Sequence, residues 1–178
     1  MMNKELKTLK SSNGTSIISG IVYWPTNEAK ALIQISHGMV ERIGRYNEFM
    51  NFLVKEGYVI CGHDHIGHGK SVGPDETFGF FKTENGDQAL VNDLYNFGQL
   101  IKKDFPNIPH ILIGHSMGSF IARVCVTTYK EAYDGFIISG TGEPTAVANI
   151  GITLASLAAK VGGEKTFSKA RPNCFRPV

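Results

Sequence analysis

Residues 111–120 read ILIGHSMGSF, with Ser116 at the centre of Gly114-His115-Ser116-Met117-Gly118. An apolar run precedes this pentapeptide, and the residues after it have helical spacing. A strand that turns sharply into a helix, with a serine exposed at the turn, leaves no room for side chains two residues to either side. Both of those positions are glycine. The same turn aims the Met117 N–H at any carbonyl approaching Ser116, at the positive end of the following helix. Because such a turn needs a buried strand in front of it, this stretch bears on the fold as well as on the chemistry.

Outward from it, short continuous apolar runs recur at 31–35 (ALIQI), 58–61 (YVIC), 111–113 (ILI) and 136–138 (FII). Runs this short and unbroken suit parallel strands covered on both faces. Leu90, Leu94, Phe97 and Ile101 lie on one helical stripe, which predicts a helix over 86–104 with Asn85 and Gln88 placed as a capping box. A second helix is predicted over 45–56, with Tyr46, Phe49, Met50 and Leu53 facing inward and Gly57 as a left-handed cap. A third begins at Ser116 and carries Phe120, Ile121 and Val124. Ahead of these, the alternating segments 5–10 and 15–24 flank the turn dipeptide Asn13-Gly14 and predict an antiparallel hairpin. Strands and helices then alternate, so the expected class is α/β: a mostly parallel sheet with helices on both faces and right-handed crossovers.

A length of 178 residues fits one domain. The 18 basic and 16 acidic side chains nearly balance, so no strong field favours nucleic acid, and a small-molecule partner is expected. The first ten residues, MMNKELKTLK, lack the apolar stretch of a secretory signal, which makes a cytoplasmic location the expectation. Cys61, Cys125 and Cys174 are odd in number and widely spaced; they read as unpaired, mostly buried thiols.

In a parallel sheet the carboxyl ends of the strands gather at one crevice, where ligands bind. Three segments end there: Ser36-His37-Gly38-Met39, the run from Asp64 to Ser71 (DHIGHGKS), and the Ser116 pentapeptide. The His37-Gly38 turn offers a second donor, the Met39 N–H, beside that of Met117. Together, "SHGMVERIGRY", "GHDHIGHGKS" and "GHSMGS", in that order, resemble the amino-terminal part of an α/β-hydrolase of the monoacylglycerol lipase and lysophospholipase family, related to the serine aminopeptidases. The resemblance covers residues 15–145. It implies that Ser116 is the nucleophile, that the Met39 and Met117 amides form the oxyanion hole, and that the loop from Asp64 to Ser71 is structural. It also implies a division into the amino-terminal part of the core (1–143) and the beginning of a lid with an irregular tail (144–178). The uncharged segment 144–159 would open that lid over an acyl pocket; it is too short and polar to span a bilayer, and transient contact with a lipid surface is expected of it.

His63, Asp64, His65 and His68 also resemble a zinc-binding run, but Asp64 stands in the wrong order and Gly67 and Gly69 suit a tight turn, so no metal and no cofactor are expected. His115 reads as a packed neighbour of Ser116 and His37 as a stabiliser of its own loop. In this fold the triad runs Ser, then Asp or Glu, then His. After Ser116 come only Glu131, Asp134, Glu143 and Glu164 as acids, and no histidine. The expectation is therefore a chain that stops inside the lid, without general base or acid, nearly silent by itself and prone to self-association through an open sheet edge. Two classes of function follow: a serine hydrolase of carboxylic esters working through an acyl-enzyme at Ser116, or a non-catalytic hydrolase-like module that binds acyl ligands or a partner.

Overall fold

The computed structural model describes residues 2–80 and 86–142. Six strands form one mixed sheet: β1 (Met2–Lys10), β2 (Ile17–Pro25), β3 (Leu32–Ser36), β4 (Val59–His63), β5 (His110–His115) and β6 (Gly135–Ser139), in the order β1-β2-β4-β3-β5-β6. The first two strands form the predicted hairpin. Gly14 takes a positive φ of 82° in its turn, where the Ser11 and Gly14 N–H groups donate to Ser16 and Ser11 carbonyls. β2 pairs antiparallel with β4, whereas β3 pairs parallel with both β4 and β5, and β5 with β6.

Strands β3 and β4 are buried along their whole length, which explains their unbroken apolar sequences. Alternate side chains leave the sheet on opposite faces. Leu32, Val59 and Cys61 enter a core with Leu90, Leu94, Phe97 and Ile101 of α2 (Gly86–Lys102) and Ile121, Ala122 and Cys125 of α3 (Met117–Thr128). Ile33, Ile35 and Ile60 enter a second core, beneath Met50 and Val54 of α1 (Asn47–Lys55). Helices therefore cover both faces, as expected. The connection from β3 to β4 moves one way along the sheet and the connection from β4 to β5 crosses back over β3. The direction in which successive strands are added along the sheet thus reverses between β3 and β5, though the two strands run parallel, and it is at such a switch point that the strand ends splay into a crevice.

Two details differ from the sequence reading. α1 starts at Asn47 after a 3₁₀ turn (Ile43–Tyr46), so its inward residues are Met50 and Val54, while Phe49 is 43% exposed. Its end is as predicted: the Gly57 N–H donates to the Val54 carbonyl and the Tyr58 N–H to that of Leu53, a Schellman closure with Gly57 at φ 89°. On α3 the sheet-facing residues are Gly118, Ser119, Ile121, Ala122 and Cys125, with Phe120 and Val124 nearly half exposed, because small side chains let this helix lie close against the strands. On α2 the Gln88 side-chain amide donates to the Asn92 side chain, and the expected capping box involves Asn85, which lies outside the described residues.

Cys61 and Cys125 are free and buried; Cys174 and the segment 144–178 lie outside the described residues. β6 stands at one edge of the sheet with Phe136 and Ile137 more than half exposed. Among the described residues no helix is long and apolar enough to cross a membrane.

Phe97 is fully buried, its ring filling the space that a Gly20 side chain would need and lying against His63. Phe97→Ala is expected to cost about 3–5 kcal/mol, read as a lower midpoint in urea unfolding with the native fold retained.

Candidate active site

Ser116 is the only described residue other than glycine with a positive φ, at φ 50° and ψ −121°. A non-glycine residue holds such a conformation only where its surroundings over-determine it. Here they do. The Ser116 N–H donates to the Ser139 carbonyl of β6, and the Ser119 N–H and hydroxyl both donate to the Ser116 carbonyl.

The flanking glycines have the steric reason inferred from sequence. A Cβ on Gly114 would lie 2.7 Å from the Gly118 carbonyl oxygen and 2.8 Å from Ala122 Cβ. A Cβ on Gly118 would lie 2.1 Å from the Ser36 carbonyl oxygen and 2.6 Å from that of His37. The elbow is therefore pressed against the end of β3. Gly38 completes the contact, since a Cβ there would sit 3.2 Å from Ser116 Cβ. The structure thus brings Ser116 and the Gly38-Met39 turn to one point at the β3/β5 switch, with Met117 as the first residue of α3. The first N–H groups of a helix have no intrahelical partner. Met39 is likewise unspent: its N–H donates to no described residue, and its side chain is 56% exposed.

The turn after β3 is held by buried imidazoles. His37 Nε2 accepts the His65 N–H at 3.1 Å, so its proton is on Nδ1, which donates to the Gly38 carbonyl at 2.8 Å. This is the self-stabilising role expected of His37. Burial lowers its pKa to about 4, which keeps the ring neutral.

Asp64 fastens the loops after β3 and β4 together. Its carboxylate accepts the Ile43 and Lys70 N–H groups, both at 2.7 Å, while its carbonyl accepts the Ser71 hydroxyl. Burial raises the Asp64 pKa against the pull of those two N–H bonds. Among the described residues no group of three histidine, cysteine or acidic side chains is disposed to hold a metal ion.

Two supporting residues escaped the sequence reading. Glu41 accepts the Gly38 N–H at 3.3 Å and the Tyr46 hydroxyl at 2.5 Å, and its other oxygen stands 3.2 Å from His115 Nδ1. Burial pushes the Glu41 pKa up, but the bonds from Tyr46 and Gly38 outweigh it and leave the group below the usual carboxylate range. Tyr46, expected on the inward face of a helix, instead turns its hydroxyl to Glu41 and His115. With Arg45 and Ser139 these residues line a recess of about 320 Å³ beside the elbow. The nearest signal in the sequence was the polar cluster within SHGMVERIGRY. His115 is the packed, hydrogen-bonded neighbour it was read to be.

Residues 27–171 match the family model described as "Serine aminopeptidase, S33". The rat (Rattus norvegicus) monoglyceride lipase is 36% identical over 142 residues, covering 78% of this chain and 44% of that protein. A thermostable carboxyl esterase from Bacillus coagulans, solved with glycerol, superposes with a TM-score of 0.79 at 25% identity, over 91% of this chain and 52% of that one. A monoglyceride lipase from Saccharomyces cerevisiae, solved with a substrate analogue, gives 0.67 at 25% identity, over 88% and 52%. The chain spans less than half the length of the rat relative.

Burial lowers the pKa of His63 to about 3, that of His110 to about 4, and that of His65 well below the ordinary value. With folded-state values below the unfolded 6.5, these groups and His37 bind protons more readily in the unfolded chain. Stability is therefore complete above about pH 6.5 and falls as pH drops toward 4, by at most about 1.4 kcal/mol per pH unit for each group. Asp64, shifted upward, opposes part of this loss. Neither ring nitrogen of His63 hydrogen-bonds to a described residue. His63→Leu is expected to flatten the fall, so that its melting temperature at pH 5 declines less from the pH 7.5 value than the wild type's does.

Proposed function

The chain belongs to the serine aminopeptidase (S33) family of α/β-hydrolases, on the monoglyceride lipase side of it, and from that premise we propose that it is a serine hydrolase of carboxylic esters with a monoacylglycerol or lysophospholipid as substrate. The observation that carries this reading is the strained Ser116 elbow pressed against the Gly38 turn. Ser116 Oγ attacks the ester carbonyl, and the Met39 and Met117 N–H groups receive the oxyanion of the tetrahedral intermediate. Collapse expels the alcohol and leaves an acyl-enzyme, which water then cleaves. Two such donors at fixed positions are worth about 10²–10³ each in turnover.

A proton acceptor for Ser116 has to come from elsewhere. Its hydroxyl hydrogen-bonds to no described residue, His37 is committed at both nitrogens, and His115 Nδ1 faces Glu41 and Tyr46. No histidine follows Ser116 in the sequence. The proposal accordingly assigns the general base and its acid to polypeptide outside these 178 residues, with 144–178 entering a lid that touches lipid surfaces transiently. Loss of the base alone removes about 10⁶ in turnover in a comparable serine hydrolase, leaving the ~10³–10⁴ supplied by binding and the oxyanion hole. The β6 edge is the proposed site of any self-association, and the proposed location is cytoplasmic.

A fluorophosphonate probe tests the reading, because it reacts only with an activated serine. Weak labelling of the 178-residue chain, strong labelling of a version extended through the strands found in its relatives, and none after Ser116→Ala are the expected results. An extended chain that binds fatty acid but resists the probe would instead favour the non-catalytic acyl-binding module.

A further inference from the structure

His68 sits in the loop after β4, 3% exposed, between two glycines with positive φ, Gly67 at 75° and Gly69 at 48°. Those glycines are sterically required. A Cβ on Gly69 would fall 2.1 Å from the Asp64 carboxylate, and one on Gly67 3.1 Å from the Phe80 backbone. The His68 backbone is fixed too, its N–H donating to the His65 carbonyl and the Ser71 N–H donating to its own. What this tight loop presents is an imidazole whose Nε2 contacts the Met39 carbonyl and whose Nδ1 lies 2.9 Å from the Ile66 carbonyl. Both partners are carbonyl oxygens, and an imidazole with a single N–H donates to only one of them; in the tautomer protonated at Nε2 that bond goes to Met39 and reaches across from the β4 loop to the β3 loop.

That contact lands beside a functionally exposed point. Met39 lies outside any strand or helix, and its solvent-facing side chain does little to hold the backbone. His37 pins the Gly38 carbonyl, which shares a peptide plane with the Met39 N–H. A hydrogen bond at the Met39 carbonyl pins the next plane. With both planes held, rotation about the Met39 Cα is blocked and its N–H keeps one direction. We propose that His68 is a positioning residue for the oxyanion hole: by donating to the Met39 carbonyl it holds the Met39 N–H toward the carbonyl that Ser116 attacks. This rests on the ester-hydrolase reading for its catalytic consequence, whereas the clamp itself is a property of the fold.

Two measurements separate them. In the 178-residue chain, ¹⁵N relaxation should find the Met39 and Val40 amides ordered in wild type and in His68→Gln, which keeps a side-chain N–H, and exchange-broadened in His68→Phe, which fills the space without a donor. Equal order in all three overturns the clamp, whatever the activity. In the extended chain, hydrolysis of p-nitrophenyl butyrate by His68→Phe should show kcat lowered about 10- to 100-fold with KM within about twofold, and His68→Gln should recover most of it. A melting temperature kept by His68→Phe together with unchanged kcat overturns the positioning role, as does a loss that His68→Gln does not rescue. If Ser116→Ala leaves hydrolysis intact, the hydrolase reading fails while the relaxation result still decides the clamp.

Discussion

The site depends on how closely α3 can approach the end of β3. At Gly118 the helix backbone comes so near the Ser36 and His37 carbonyls that even a methyl group would overlap them. That approach sets the depth at which the elbow sits, and Ser116 accepts a disfavoured φ because β6, the first turn of α3 and the Gly38 turn leave it no other arrangement. Conformational strain of this kind costs on the order of 1–3 kcal/mol and persists only when the surrounding packing exceeds it. The two cores, one on each face of β3 and β4, supply that packing.

Around the elbow lies an unusual amount of buried polar matter. His37, His63, Asp64, His65 and His68 are all nearly inaccessible, with the His37 and His65 rings 4.3 Å apart. Burying polar groups is favourable only when they are bonded, and most of these are bonded to backbone. Their partners are carbonyls and amides of the two loops that frame the crevice: Gly38 and Met39 after β3, Ile43 at the start of the 3₁₀ turn, Ile66 and Lys70 after β4. A loop is ordinarily the mobile part of a fold; here side-chain hydrogen bonds give two of them the rigidity of the sheet. The neutrality of His37, His63 and His65 follows from the same burial, which links the order of the loops to pH.

Much of this was legible in the sequence. Continuous runs such as YVIC announced strands covered on both faces, because a one-sided strand would alternate. Asn13-Gly14 announced the hairpin, and Gly57 the end of α1, each because the backbone there needs a left-handed residue. The glycines at 114 and 118 announced the elbow, since a serine turned outward at a strand end excludes side chains at those two positions. The sequence misjudged which residues of α1 and α3 face inward, for periodicity locates an apolar stripe only to within a residue or two, and a 3₁₀ lead-in and close contact through small residues each rotated the stripe.

Local chain chemistry by itself determined the class of fold, the order of its elements and the sharp turn at Ser116, since all three follow from steric and hydrophobic rules acting within a few residues. Tertiary structure alone decided the company that serine keeps. Glu41 with Tyr46 and His115, Asp64 with Ile43, and His68 with Met39 are pairs drawn mostly from different strand ends, and no spacing along the chain encodes which loop will face which once the sheet has formed. Only the reversal of strand order between the parallel β3 and β5, a property of the assembled sheet, puts those ends at one crevice.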